Sequence, residues 1–552
     1  MNLITFEHDR EFVLDALRAG NLDYLEPVTE AAEADFFRHI LARPIMDRLV
    51  ETYPTPRKKE EVPVWVYIAS QMSLRLHGTG SYRAFPYVIR SGGLISALGP
   101  EVGRKVVHPD SGDVSLACTG FNDKNTNGRQ TPCDQDFLRK LGRDTDSGLL
   151  HAWFNREVPR ALRGSKLLDA EGVYIGDASY VFVPDNEWYE GSVRLLFDEH
   201  NHPVNDEEVD LKDTRYQWRR CYKLVNLIHI NRNMDFFFVV AARLVPGNEH
   251  ESAILYEMVE EFVKAVGRGW MRVLILDRGF IDGEAIGRLK QIHQIDTVMP
   301  LRKNMDAFID VQALAAMKDF AWEIFLRPVA TRRDQTDRPK HPTIIKREAK
   351  RQQTLAARKG LPPPPPMVPA LTLIGIVRDL SSWSSCPVPL TAVISREIDV
   401  HGQVEEWVIV TTARDWSAAQ IRSTYELRPT IEERHRQYKC FWDLMRVTSR
   451  AFSLVLAHVL FVLLTYTLLQ VHLLRQRREL TRGTRVQFLR RLGPAIDVVA
   501  LYYQHKFCLI SLPEFAEILL LLPDGEPRRK LLKKVQSLKR EIYSLLANPR
   551  AP

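Results

Sequence analysis

The 552-residue chain is poor in cysteine, with Cys118, Cys133, Cys221, Cys386, Cys440 and Cys508 scattered and no C-x-x-C pair among them. That pattern speaks against a zinc site or a disulfide framework and makes a reducing cytoplasm the simplest setting. No Gly-Lys dipeptide occurs, and a phosphate-cradling P-loop needs one, so ATP-driven chemistry is disfavoured. The opening Met-Asn-Leu-Ile-Thr-Phe-Glu-His-Asp has neither a basic n-region nor a long apolar run, so no secretory signal is expected. One stretch lacks charge altogether. Ala451 to Leu474 contains no Lys, Arg, Asp or Glu and is long enough to span a bilayer. It also carries His458, Gln470 and His472 and directly follows a charged helix, so it reads as a buried core helix, with no membrane partner.

What is present is ordinary in bulk. Hydrophobic residues make up 45% and charged residues 26%, which suits a soluble globular chain long enough for several domains. The net charge of +7 is a mild excess that suits a polyanionic partner.

Residues 1–165 read as helical, with candidate helices at Glu11–Ala19, Ala31–Tyr53, Val64–Leu76, Tyr82–Ser91, Cys133–Leu141 and Leu149–Leu162. The last carries Arg156, Arg160 and Arg163, and short basic helices of this kind build DNA-reading domains. The pattern changes near Lys166. Val173–Asp177, Tyr222–Ile230, Phe236–Val245, Arg272–Leu276 and Thr297–Met299 read as strands, with amphipathic helices at His250–Val266 and Gly283–His293. Three strands, helix, strand, helix, strand predicts an α/β domain of the RNase H-like kind over 166–300. A β-rich insertion is expected over 301–412, containing the basic stretch 327–360 and the proline run Pro362–Pro366, stiff and extended. Residues 413–475 would close the core with helices. Residues 476–552 read as a basic helical region whose Leu531, Val535, Leu538, Ile542 and Leu545 mark a packing helix.

The chemistry gathers around Tyr425-Glu-Leu-Arg428-Pro-Thr-Ile-Glu432-Glu433-Arg-His-Arg-Gln-Tyr-Lys439. On a helix, Tyr425, Arg428, Glu432 and Lys439 would lie within roughly 60° of one another. An acid, two cations and a phenol on one face can hold a metal ion and phosphate oxygens together. Pro429 is tolerated only in a first turn, which moves the helix start to about Arg428 and leaves Tyr425 ahead of it. Asp177 and Asp277 each follow an apolar strand, and taken singly each fits a turn or cap. Together with Glu432 they can converge on one rim, where three carboxylates require a cation. Oxygen donors suit Mg²⁺ or Mn²⁺, and two such ions can activate a water or 3′-hydroxyl and stabilise the leaving oxygen. Asp185, Glu187 and the cluster Asp206-Glu-Glu-Val-Asp210 end no apolar strand and read as solvated loop acids.

With these residues the chain resembles bacterial insertion-sequence transposases of the DDE superfamily, in the family-four branch marked by a Tyr-Arg-Glu-Lys signature. Tyr425, Arg428, Glu432 and Lys439 match its spacing, Leu276-Asp277-Arg-Gly-Phe280 resembles its second-acid motif, and Met299-Pro-Leu-Arg-Lys-Asn304 resembles the segment beyond. Val173–Asp177 takes the first-acid position with a looser match, and Pro429 stands where a bulky residue is usual. The resemblance spans about 165–475. It implies that Asp177, Asp277 and Glu432 form a metal-binding catalytic triad that cuts transposon ends and joins the 3′-OH to target DNA. Tyr425, Arg428 and Lys439 would contact phosphates of the end. It further implies two Mg²⁺ or Mn²⁺ ions, double-stranded DNA with terminal inverted repeats as partner, and a homodimer on DNA in the bacterial cytoplasm, associated with the nucleoid. In some members an insertion tryptophan stacks on a flipped base; Trp322, Trp383 and Trp407 occupy that segment here, and each reads as a core tryptophan. A DNA-binding descendant that no longer cuts, or a nuclease of the same fold without strand transfer, would carry the same residues.

Overall fold

Runs of β-branched and aromatic residues set the centre of the molecule. The computed structural model describes residues 3–4, 7–28, 31–58, 62–85, 88, 93–98, 103–107, 109–112, 114–117, 135–210, 213–231, 236–326, 371–398, 404–475 and 498–547. Gly172–Val183 (β1), Gln217–Ile230 (β2) and Phe237–Pro246 (β3) form an antiparallel meander. From Cys221 to Ile230 every residue of β2 is buried, which is why that stretch is nearly continuously apolar rather than alternating. Glu251–Val266 (α1) returns the chain across the sheet to the free edge of β1. There Met271–Ile275 (β4) pairs parallel with β1, and Gly283–His293 (α2) leads to Asp296–Pro300 (β5), parallel to β4. The strand order is β3-β2-β1-β4-β5. α1 seats Leu255, Met258, Val259, Phe262 and Val266 inward at helical spacing.

The segment between Pro300 and Thr411 does not stand apart. Leu371–Leu380 (β6), Leu390–Ile398 (β7) and Val404–Thr411 (β8) are antiparallel, and β8 pairs with β5 through Val298↔Thr411 and Pro300↔Ile409. The expected insertion therefore extends the central sheet. Its basic and proline-rich stretch lies outside the described residues. After β8 come Ala418–Tyr425 (α3), Pro429–Phe441 (α4) and the buried Phe452–Arg475 (α5).

α5 is long and apolar enough to cross a membrane, yet 89% of its most apolar window is buried in the fold. Its few polar residues have a specific task. β3 is an outer strand, and its outward N–H groups need partners once buried. Gln470 and Thr467 of α5 accept from the N–H groups of Phe237 (3.4 Å) and Val239 (3.1 Å). On the helix Ser147–Gly164, Asn155 and His151 accept from Ala242 (2.8 Å) and Leu244 (3.1 Å). Burial, with Arg243 nearby, pushes His151 down to about 4, so the imidazole is neutral and can accept. Two helices thus close the sheet edge with side chains one helical turn apart.

The ends of the chain depart from the helical expectation. Val498–Tyr503 and Lys506–Ser511 are strands of a separate small sheet, flanked by Tyr24–Val28 and Glu7–His8. Their two-residue turn, Gln504-His505, has φ of 46° and 65°, the twist a tight hairpin needs, but it lacks the Asn-Gly signature that would announce it. Val13, Leu17, Leu501, Ile510 and Leu531 form the core beneath, with Val535 against it. The helices between residues 31 and 164 have no core of their own. Phe36, Tyr67, Trp153 and Phe154 belong to the same apolar cluster as the sheet residues Tyr174 and Ile175.

Thr467→Val keeps the shape of the side chain and removes the acceptor for the Val239 N–H. Denaturant unfolding should show a loss of about 1–3 kcal/mol with an unchanged m-value. An unmoved midpoint would mean that the strand edge finds another partner.

Candidate active site

Register brings two acids side by side. β1 and β4 run parallel with Ile175 opposite Ile275, and two residues further along each strand come Asp177 and Asp277. β1 itself continues to Val183, so Asp177 lies inside a strand rather than at its end. It stands where β1 outruns its parallel neighbour, paired only with Asn226 of β2. Asp277 follows β4 and caps the turn Arg278–Phe280, accepting the Arg278 N–H at 2.5 Å. The Tyr256 hydroxyl donates to the Phe280 carbonyl at 2.6 Å and ties that turn to α1.

The third acid arrives on a helix. Ser417 caps α3 by accepting from the Gln420 N–H, and α3 ends at Tyr425. The chain then turns through Glu426–Arg428, and Pro429 opens α4 at its first position. Tyr425 and Glu432 therefore lie on different helices, as the proline indicated, with Arg428 at the junction. Arg428 Nη2 lies 2.6 Å from Asp277 Oδ2 and 3.8 Å from Asp177 Oδ2, and Nη1 donates to Glu432 Oε1. One guanidinium gathers all three carboxylates.

Burial grades these acids. The side chain of Asp177 is 12% exposed, against 36% for Asp277 and 56% for Glu432. Desolvation drives the Asp177 carboxyl from 3.8 up to about 7; Asp277 and Glu432 push the same way, while Arg428 and the Ala178 N–H oppose them. Two turns beyond Glu432, Lys439 Nζ donates to Ser179 Oγ at 2.5 Å, and Ser179 shares the Asp177 face of β1. Burial lowers Lys439 to about 8, against the attraction of Asp177. Burial also raises Tyr425 to about 12, with Asp277 adding to it, so its hydroxyl is a donor across the physiological range.

The model of the transposase DDE domain family matches residues 190–468. That is more than half of the chain. The chain belongs to the DDE transposase family. A cryo-EM structure of a piggyBac transposase synaptic complex with hairpin DNA is similar at a TM-score of 0.38 and 12% identity, covering 94% of this chain and 85% of that one. That likeness is too slight to decide fold or function. No curated protein matches. The family match includes Asp277 and Glu432 but begins after Asp177, so the place of Asp177 in this transposase rests on the register and on its contact with Arg428.

Transposases of this family use divalent metal ions, and the donor set fits one. Three carboxylates supply hard oxygen ligands without sulfur, and with Arg428 among them the ionised cluster keeps a net charge of −2. Among the described residues no three His, Cys, Asp or Glu side chains are arranged to hold one ion as they lie. The three acids face Arg428 instead.

Two residues of this site escaped the sequence reading. His435 is buried, its Nε2 lies 2.9 Å from Asn226 Oδ1, and its Nδ1 is 3.9 Å from Asp177 Oδ2. Desolvation, with Lys439 and Arg428 nearby, lowers it to about 3, so it is neutral. Its position three residues after Glu432, on the same face, was the available signal. Asn226 carried none, because only strand pairing sets it opposite Asp177. Arg160 and Arg163 of the Ser147–Gly164 helix also have partners within the chain. They donate to the Ala265 and Val266 carbonyls at the end of α1, where the helix dipole favours cations. Trp383 is buried as expected; Trp322 and Trp407 are half-buried, under Arg396 and Arg422 respectively.

Because folding raises the Asp177 pKa, this group favours the folded state at low pH and loses that contribution as pH climbs from about 4 to about 7. In metal-free buffer, wild-type stability should fall relative to Asp177→Asn across that window, by on the order of 4 kcal/mol, and then level off. Parallel stability–pH curves for the two proteins would refute the assignment.

Proposed function

We infer that this DDE transposase cuts DNA at the ends of its element and joins the freed 3′-hydroxyl to target DNA, as a member of the family-four branch. The observation that carries the reading is the meeting of Asp177, Asp277 and Glu432 around Arg428. The order β3-β2-β1-β4-β5, with only the last two pairings parallel, supports an RNase H-like core in which β1 and β4 deliver the two aspartates. The Tyr-Arg-Glu-Lys spacing supports the branch, and a bacterial, cytoplasmic setting goes with it.

In this reading Asp177, Asp277 and Glu432 hold two Mg²⁺ or Mn²⁺ ions. Such ions lower the pKa of an attacking water or 3′-hydroxyl and offset charge on the leaving oxygen. The protein supplies the rest. β1 and β4 fix two carboxylates by strand register, and α4 fixes the third by its proline start. Arg428 offers a planar fork suited to phosphate oxygens, Lys439 a point charge, and Tyr425 a hydroxyl donor. Neutral His435, anchored on Asn226, stands 3.9 Å from Asp177 and adds no charge there. Double-stranded DNA is the substrate, and two copies of the chain pair two element ends.

Wild type should cleave a duplex carrying the element's terminal repeat at the edge of that repeat when Mg²⁺ is supplied. Asp277→Ala and Glu432→Ala should still shift the duplex in a gel but cleave below about a hundredth of the wild-type rate, since even supporting residues around metal sites cost ~10–100-fold. A strand-transfer product separates transposase from plain nuclease; binding without cleavage in either metal would leave only a DNA-binding protein. Lys439→Met should weaken duplex binding and reduce the slope of log K against log salt by about one. An unchanged slope would remove Lys439 from the phosphate contacts.

A further inference from the structure

The geometry points to Arg428 as a built-in competitor of the divalent cation: without DNA its guanidinium holds the triad, and a bound DNA phosphate draws it off and opens the carboxylates to metal. This rests on the reading above, in which the same three acids are the metal ligands.

Three observations carry it. The first is occupancy of the donor atoms. Arg428 contacts Asp277 Oδ2, Glu432 Oε1 and, at 3.8 Å, Asp177 Oδ2, so its positive charge already stands where the three acids need one. An ion and this guanidinium cannot both approach those oxygens closely, because like charges at contact distance repel. The second is incomplete satisfaction. The Arg428 side chain is largely buried, and its Nε–H is buried without a partner among the described residues. An unpaired buried donor makes this arrangement costlier than one in which a phosphate takes both edges of the fork. The third is room to move. Beside Arg428 lies an open groove of about 490 Å³, walled by Trp407, Arg422, Tyr425, Pro429 and Glu426, whose carboxylate is paired with Arg422. Arg428 sits at the junction between α3 and α4 and itself lines that groove.

Linkage follows. If one guanidinium is shared between carboxylates and phosphate, DNA must raise metal affinity, and metal must raise DNA affinity by the same factor. The device would keep the nucleolytic centre unloaded until an end is seated.

The test measures Mn²⁺ binding by electron paramagnetic resonance on the full chain, with and without a pre-cut duplex ending at the terminal repeat, the duplex alone being subtracted. Wild type should bind Mn²⁺ weakly when free and about tenfold or more tightly with duplex. Arg428→Gln should bind Mn²⁺ tightly without duplex and gain little from adding it. Arg428→Lys, which keeps the charge but not the fork, should fall between them, and it serves if the glutamine variant does not fold. If both folded variants match wild type without duplex, the competition is overturned. Asp277→Ala and Glu432→Ala separate the two layers of the reading. If they leave Mn²⁺ binding untouched in wild type and in Arg428→Gln, the triad itself is misassigned. If they abolish it while the arginine variants change nothing, only the competition fails.

Discussion

Asp177, Asp277 and Glu432 repel one another at short range, and Asp177 is largely cut off from the water that would screen it. Holding them together requires a positive charge among them, and Arg428 supplies it. Much of the site follows from that requirement. Pro429 must break the helix so that Arg428 falls at a junction and reaches across to both strands. His435 is neutral because its burial disfavours a charge, and the nearby Lys439 and Arg428 push the same way. Lys439, one turn past His435, is held off the cluster by its bond to Ser179 and acts on Asp177 only at a distance.

The scaffold solves a second problem of the same type. A central sheet that ends in a buried strand leaves a row of N–H groups with nothing to bind. Here the apolar helix α5 and the helix Ser147–Gly164 lie along β3, and Thr467, Gln470, Asn155 and His151 take those donors. This explains why a stretch apolar enough for a membrane carries polar residues at one-turn spacing. α5 also holds α4 from behind, where Tyr466 donates to Gln437 and stacks edge-on against Tyr438. The sheet edge and the acid-bearing helix are therefore fixed by the same element, so damage at β3 should be felt at Glu432.

Much of this was legible from local pattern. Pro429 marked the start of α4, and the charge-free stretch marked a core helix once its histidines and glutamine were weighed. Asp277 was visible because β4 stops two residues before it. Asp177 was expected at the end of an apolar strand, yet the strand continues through Ala178–Val183, paired with β2 throughout. The closing hairpin at Val498–Ser511 was missed because its turn residues, Gln504 and His505, adopt positive φ without the usual signature. The bonds of Arg160 and Arg163 to carbonyls at the end of α1 left no trace in the sequence, because those carbonyls are about a hundred residues away.

The sequence by itself determined what is encoded within a few residues: strand runs, the proline that starts α4, and the spacing that sets Glu432 and Lys439 on one helical face. Hydrophobic period and backbone sterics act over one or two turns, so they can be read along a line. Only the tertiary structure decided which atoms share a charge. Asp177 and Asp277 meet because two strands run parallel in one register, Asn226 faces Asp177 because a third strand is antiparallel, and Arg428 reaches all three acids because the sheet and the helix junction are packed together. Electrostatics acts through space, and spatial neighbours at large sequence separation leave no local trace.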